Sequence, residues 1–139
     1  MIHKFWSKQP MSIDKQNFGP IEVKEVKNIR TEPYPLLDGF EWGLLENIDE
    51  CYILLRDNYV EDDSGTFRFE YSQDFLKWAF ESCKKEWKIG VFQTSNKKLW
   101  AMITGTPAII SINGEEIRVA EINFLCIHKK LRDKRLAPV

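Results

Sequence analysis

A nine-residue apolar run that ends abruptly in a block of positive charge sets the frame for this chain. Val119 to Ile127 is rich in β-branched and large apolar residues, the composition of a buried strand. The next eight residues, His128-Lys-Lys-Leu-Arg-Asp-Lys-Arg135, set five Lys or Arg side chains against one Asp. Leu136-Ala-Pro-Val139 follows and reads as the opening of a helix, since Pro is tolerated in a first helical turn. A strand that feeds a basic loop and then a helix N-terminus is a phosphate-binding arrangement. Free backbone N–H groups and the positive end of the helix dipole both face the ligand.

The elements upstream give this strand its neighbours. Trp87 to Phe92, Leu99 to Ile112 and Arg118 to Ile127 read as consecutive strands. Asn96-Lys97 makes the first connection. Asn113-Gly114 makes the second, because both residues accept the positive φ of a type I′ turn. Pro107 interrupts the middle strand and predicts a bulge or an edge. Before the meander come a short strand at Phe40 to Leu45 and a helix that carries Tyr52, Leu54, Leu55 and Tyr59, capped by Asp49. A second helix begins after Ser72, with Phe75, Leu76, Ala79 and Phe80 on its inner stripe. Phe67, Phe69 and Tyr71 are spaced two apart, which in a strand puts three rings on one face. They either pack on the core or line a groove for a peptide, beside the acidic Glu61, Asp62 and Asp63. Residues 1–30 carry no amphipathic period and read as an extended arm anchored by Phe5-Trp6, with a Pro/Gly-punctuated connector after it.

A length of 139 residues suits one domain with a real core. The net charge of −1 argues against a nucleic-acid surface spread over the whole molecule; the positive charge is local. Three cysteines without zinc-type spacing point to reduced thiols and a cytoplasmic protein, and no metal site is expected. The sequence shows neither a signal-peptide pattern nor an apolar run near the roughly 20 residues that a membrane span needs. Cys126 and His128, two apart in an extended segment, have no third group to orient them as a nucleophile and base.

Glu121-Ile-Asn-Phe-Leu-Cys-Ile-His-Lys-Lys-Leu-Arg-Asp-Lys-Arg-Leu-Ala-Pro-Val139 resembles the signature of protein N-myristoyltransferases. Three more stretches resemble the same family in the same order: His3-Lys-Phe-Trp6 with Gln9-Pro10, Asn58-Tyr-Val-Glu-Asp-Asp63, and Phe67-Arg-Phe-Glu-Tyr71. The resemblance implies an α+β fold (an α/β sandwich) of the GNAT-like acyl-CoA N-acyltransferase kind. Its mostly antiparallel mixed sheet would be flanked by helices. On this reading residues 1–30 are an arm over acyl-CoA, and residues 31–139 are a partial acyl-CoA-binding domain cut after Val139. The chain would be the N-terminal part of a two-half enzyme and inactive alone, its partners being the C-terminal half, acyl-CoA and glycine-initiated peptides.

The resemblance also implies roles. Backbone N–H groups of Phe124 and Leu125 would form an oxyanion hole, with Asn123 near the substrate amine. Lys4, Phe5, Trp6, Phe124, Leu125, Cys126, Ile127, Arg132, Asp133, Arg135, Leu136 and Ala137 would contact myristoyl-CoA. Val60, Asp62, Asp63, Phe67, Phe69 and Tyr71 would line the peptide groove. In the family the general base is the carboxylate of the natural C-terminus, which is not among these residues. Two departures stand out. Asp133 replaces the usual Ser; a carboxylate repels phosphate, so either it turns away and only its backbone N–H binds, or cofactor affinity is lower. Glu81-Ser-Cys-Lys-Lys-Glu86 is shorter than usual and lacks the Pro-Gly run. The rival readings are another GNAT-type acyltransferase and a non-catalytic module that binds CoA, nucleic acid or anionic lipid through residues 129–135. Against nucleic acid, the basic run has no interleaved aromatics for base stacking.

Overall fold

The computed structural model describes residues 25, 27, 29–112, 114–134 and 136–137. The chain divides into two compact units, Met1–Pro33 and Tyr34–Val139. In the first, Lys27 pairs with Glu25, and Arg30 Nε donates to the Glu32 carbonyl at 2.6 Å.

The second unit holds β1 (Phe40–Leu44), α1 (Ile48–Asn58), α2 (Gln73–Glu81), β2 (Lys88–Gln93), β3 (Leu99–Ile112) and β4 (Glu115–Ile127). Short 3₁₀ helices at Lys85–Trp87 and Lys129–Lys134 complete it. The strands form one antiparallel sheet in the order β1-β2-β3-β4, with both α-helices inserted between β1 and β2. This is the expected α+β architecture, although every strand pair among the described residues is antiparallel. β4 is an edge strand of the described sheet, whereas its composition predicts a buried one.

Helix starts follow from side-chain chemistry. Ser72 caps α2, its hydroxyl accepting from Phe75 N at 3.1 Å. The cap of α1 is Asn47 rather than Asp49: its side-chain oxygen accepts from Asp49 N at 2.9 Å, and Asp49 itself sits in the first turn, where its charge meets the positive helix end. The α1 stripe Cys51, Leu54, Leu55 and Asn58 is buried, as are Leu76 and Phe80 of α2. Phe75, expected inside, is 39% exposed and stacks on Tyr71 instead.

The register explains which sheet face the helices cover. Gly43, Gly90, Met102 and Cys126 are aligned across the four strands. Met102 and Cys126 join Leu54, Leu55, Leu76 and Phe80 in one core cluster, so this is the helix side. The adjacent row, Trp42, Val91, Ala101 and Ile127, lies on the other face, where Trp42, Leu44 and Leu125 remain exposed. β2 reaches β3 only between Leu99 and Thr104. Pro107 lies beyond that span, where its missing N–H interrupts no ladder on the β2 side, as an edge proline should. Gly114 has φ 86°, the conformation the hairpin turn requires, and Ile112 pairs with Glu115 across it. Asn113 lies outside the described residues.

Phe67 to Tyr71 is not a strand of the sheet. Only the bridge between Glu61 and Arg68 is strand-like, and Phe67 and Phe69 are 76% and 59% exposed. The alternation is present, but no neighbouring strand among the described residues is there to turn it into a buried face. The basic run also differs from the expected loop: residues 129–134 wind into a 3₁₀ helix pinned by buried Leu131. Arg135, Pro138 and Val139 lie outside the described residues, as do Lys4, Phe5 and Trp6, and with them most of the arm and half of the expected helix opening.

Candidate acyl-transfer site

The site grows from an irregularity in β4. Met102 pairs with Cys126 and Thr104 with Asn123, so Ile103 faces two residues, Phe124 and Leu125. This is a β-bulge, and it breaks the ladder at the residues whose N–H groups were singled out from the sequence. Phe124 has φ 52°, a conformation that a bulky L-residue adopts only when its surroundings enforce it. The surroundings here are aromatic. The buried Phe124 ring meets Tyr71 edge-on at 5.5 Å and Phe80 at 5.7 Å. Buried Thr104 adds a hydrogen bond from its hydroxyl to the Asn123 carbonyl at 3.2 Å. Across the bulge Phe124 and Cys126 stay on the helix side while Leu125 is exposed.

Tyr71 carries this aromatic order to the acidic loop. Its ring stacks on Phe75 at 5.0 Å and on Phe69 at 6.3 Å, and meets Tyr59 at 6.0 Å. The loop itself is a small irregular hairpin: Phe69 N donates to Val60 O at 2.9 Å and Asp62 N to Phe67 O at 3.0 Å. The Asp62 carboxylate closes the turn, accepting from Phe67 N at 2.7 Å and from the Ser64 hydroxyl, and both bonds hold it below the usual carboxylate range. A cleft of about 460 Å³ is lined by Val60, Glu61, Asp62, Phe67, Arg68 and Phe69. Four residues predicted for a peptide groove therefore meet there. Asp63 does not line it, and Tyr71 belongs to the ring cluster beneath.

A second cleft, of about 360 Å³, brings both halves of the prediction together. Val60 and Glu61 of the acidic loop face Leu125, Cys126, Ile127, Arg132 and Ala137 there, with Asn58 and Tyr59. On the other sheet face, Leu125, Ile127, Leu136 and Ala137 border an apolar groove of about 260 Å³ floored by β1, β2 and β3. Leu125 and Ile127 thus line both clefts, one on each side of β4.

The basic run is less free than its sequence suggests. Glu61 pairs with Lys129 and with Arg68, each at 2.7 Å, and these hydrogen bonds hold its carboxylate below the usual range. Arg132 donates to the Asn58 carbonyl and, at 3.4 Å, to that of Ile127. His128 packs its ring on Trp100 at 4.4 Å and accepts from Lys130 N at its Nδ1, 3.2 Å away. Burial, then the charge of Lys98, pushes its pKa down, which favours the neutral ring at neutral pH, and the bond accepted at Nδ1 leaves Nε2 to carry the proton. Cys126 is buried, its thiol pushed up to about 11 by desolvation, and its Sγ lies 3.8 Å from the Leu54 carbonyl. Neither side chain is disposed as a nucleophile–base pair. Among the described residues no cluster of His, Cys, Asp or Glu could hold a metal, and no helix is long and apolar enough to cross a membrane.

Asn58 is the functional candidate to which the sequence reading gave no role. It occupies the fourth place of the buried α1 stripe after Cys51, Leu54 and Leu55. A polar residue at an apolar position was the available signal.

Residues 20–139 match the family described as myristoyl-CoA:protein N-myristoyltransferase, N-terminal domain. A glycylpeptide N-tetradecanoyltransferase of Dictyostelium discoideum is 50% identical over 99% of this chain and 36% of its own length. The Aspergillus fumigatus enzyme of that name is 46% identical over 99% of this chain and 30% of its own. The crystal structure of Saccharomyces cerevisiae N-myristoyltransferase with bound myristoyl-CoA superposes with a TM-score of 0.84 at 39% identity, covering 98% of this chain and 33% of that one. The chain spans about a third of the length of such relatives.

Proposed function

The chain belongs to the N-myristoyltransferase family, and from that premise we propose that the protein transfers myristate from myristoyl-CoA to the N-terminal glycine amine of proteins or peptides. The observation that carries this reading is the cleft where Val60 and Glu61 meet Leu125–Ile127, Arg132 and Ala137 at the foot of the bulge. A thioester lying along Leu125–Ile127 puts its carbonyl beside the N–H groups of Phe124 and Leu125. As the glycine nitrogen bonds to the acyl carbon, the carbonyl oxygen gains charge and these donors stabilise it. An effect of about 3–4 kcal/mol per donor is typical of acyl transfer. The C–S bond then breaks, CoA leaves as the thiolate, and the amine's proton passes to a base.

The remaining residues divide the other tasks. The apolar groove bordered by Leu125, Ile127, Leu136 and Ala137 suits the start of a long acyl chain. Exposed Lys130 and Lys134, with the backbone of residues 129–137, answer the phosphates. Lys4, Phe5, Trp6 and Arg135 belong to the same proposal on sequence grounds. The cleft at Val60, Asp62, Phe67 and Phe69 takes the peptide, with Asp63 near enough in sequence to favour basic side chains, and Asn123 stands beside the amine. The buried, hard-to-ionise Cys126 favours direct attack over an acyl-enzyme. Buried, reduced thiols accord with a cytoplasmic setting.

The full-length protein, incubated with myristoyl-CoA and a glycine-initiated peptide, is expected to yield the N-myristoylated product by mass spectrometry. The same peptide beginning with Ala should yield none. Product from acetyl-CoA but not myristoyl-CoA would favour another acyltransferase of this fold, and no product with either would overturn the reading. Residues 1–139 alone are expected to show no turnover, since they span only about a third of the length of enzymes of this kind.

A further inference from the structure

We infer that Asn58 is a positioning residue for acyl-CoA binding, a clamp that fixes the basic 3₁₀ segment to the end of α1 and thereby to the acidic loop. Asn58 is 5% exposed, and its side-chain nitrogen, side-chain oxygen and carbonyl are each bonded. Its Nδ2 donates to the Leu54 carbonyl at 3.1 Å, which anchors the side chain to its own helix. Its Oδ1 accepts from Lys129 N at 3.1 Å, the backbone amide that opens the 3₁₀ segment. Its carbonyl accepts from the Arg132 guanidinium three residues further on. One residue therefore holds both the first amide and the side chain of the fourth residue of a six-residue segment.

A second strut runs parallel. Lys129 also pairs with Glu61, which lines the peptide cleft and holds Arg68 of the same loop. Short 3₁₀ helices have poor hydrogen-bond geometry and do not hold their shape unaided. Without the clamp, the segment keeps buried Leu131 as an anchor, but its first amide loses its fixed direction. The amides that follow it would then have to be ordered when ligand binds, an entropic cost that preorganisation avoids.

The inference rests on the acyl-CoA reading above, and the test separates the two. Myristoyl-CoA affinity is measured by calorimetry on the full-length protein and on Asn58→Leu and Asn58→Asp, with the melting temperature of each. Leu is close in size and removes both side-chain bonds. Asp keeps an acceptor for Lys129 N, loses the donor to Leu54 and adds a buried charge, which lowers stability. Both variants should melt lower. Asn58→Leu should bind myristoyl-CoA about tenfold more weakly, the scale of one buried hydrogen bond left unmade, whereas Asn58→Asp should stay within about threefold of wild type. The loss should appear in the acyl-CoA KM rather than in kcat. Should Asn58→Leu not fold, Asn58→Ser, too short to reach Lys129 N, replaces it with the same expectation. Unchanged affinity in Leu or Ser, or equal loss in Asp, would overturn the clamp. Wild-type protein that does not bind myristoyl-CoA would instead overturn the functional reading and this inference with it.

Discussion

The left-handed backbone at Phe124 can be isolated from the ring that fills the core. Phe124→Ala and Phe124→Gly both remove the side chain, at about 3–5 kcal/mol for a buried phenylalanine. They lose the same contacts with Tyr71 and Phe80. What differs is the backbone. In an ordinary strand, Gly is less stable than Ala by roughly 0.5–1 kcal/mol because the unfolded chain gains freedom. At φ 52° an L-residue bears a steric cost of roughly 1–2 kcal/mol that Gly escapes. The difference leaves Gly ahead by roughly 0–1.5 kcal/mol. Met102, buried at an ordinary position two residues from Thr104, is the control: there Ala should exceed Gly by roughly 0.5–1 kcal/mol. Urea midpoints of the four variants give both differences. If Phe124→Gly falls below Phe124→Ala by as much as Met102→Gly falls below Met102→Ala, the bulge is not held in the left-handed region, and the argument that it redirects the amides of Phe124 and Leu125 fails.

Other expectations follow from the packing and the charges. A Cβ on Gly90 would lie 2.8 Å from side-chain carbons of Leu45, Phe92 and Leu99; Gly90→Ala should therefore lower stability by about 1–3 kcal/mol, read from the urea midpoint. Burial raises the thiols of Cys51 and Cys126 to about 12 and about 11, so at pH 8 iodoacetamide should label both only after denaturant is added, with mass spectrometry counting the adducts. Asp133 is the one acidic residue between His128 and Arg135; Asp133→Ser should tighten myristoyl-CoA binding modestly, and more so at low salt. Equal affinities at low and moderate salt would show that its charge does not reach the phosphates.

The strands and the hairpin were legible in the sequence because β-branched runs and turn residues are local signals. Leu99 to Ile112 and the turn at Gly114 needed nothing from the rest of the molecule. The same holds for Ser72, whose capping geometry is set within four residues. Several residues of the family signatures line two clefts of the fold. What the sequence could not supply was the partner of each group. Phe67 to Tyr71 alternates like a strand, yet pairing is a property of what lies alongside, and no described strand does. Five positive charges read as a phosphate site, but Lys129 and Arg132 bond to Glu61 and Asn58, roughly 70 residues earlier in the chain. Asn58, the last residue of α1, is buried and bonded to the basic segment. The bulge at Phe124 is fixed by rings from Tyr71 and Phe80, which no local pattern places against it. Local chemistry chose the elements; the alignment of distant residues decided which polar groups are bound within the protein and which remain to meet a ligand.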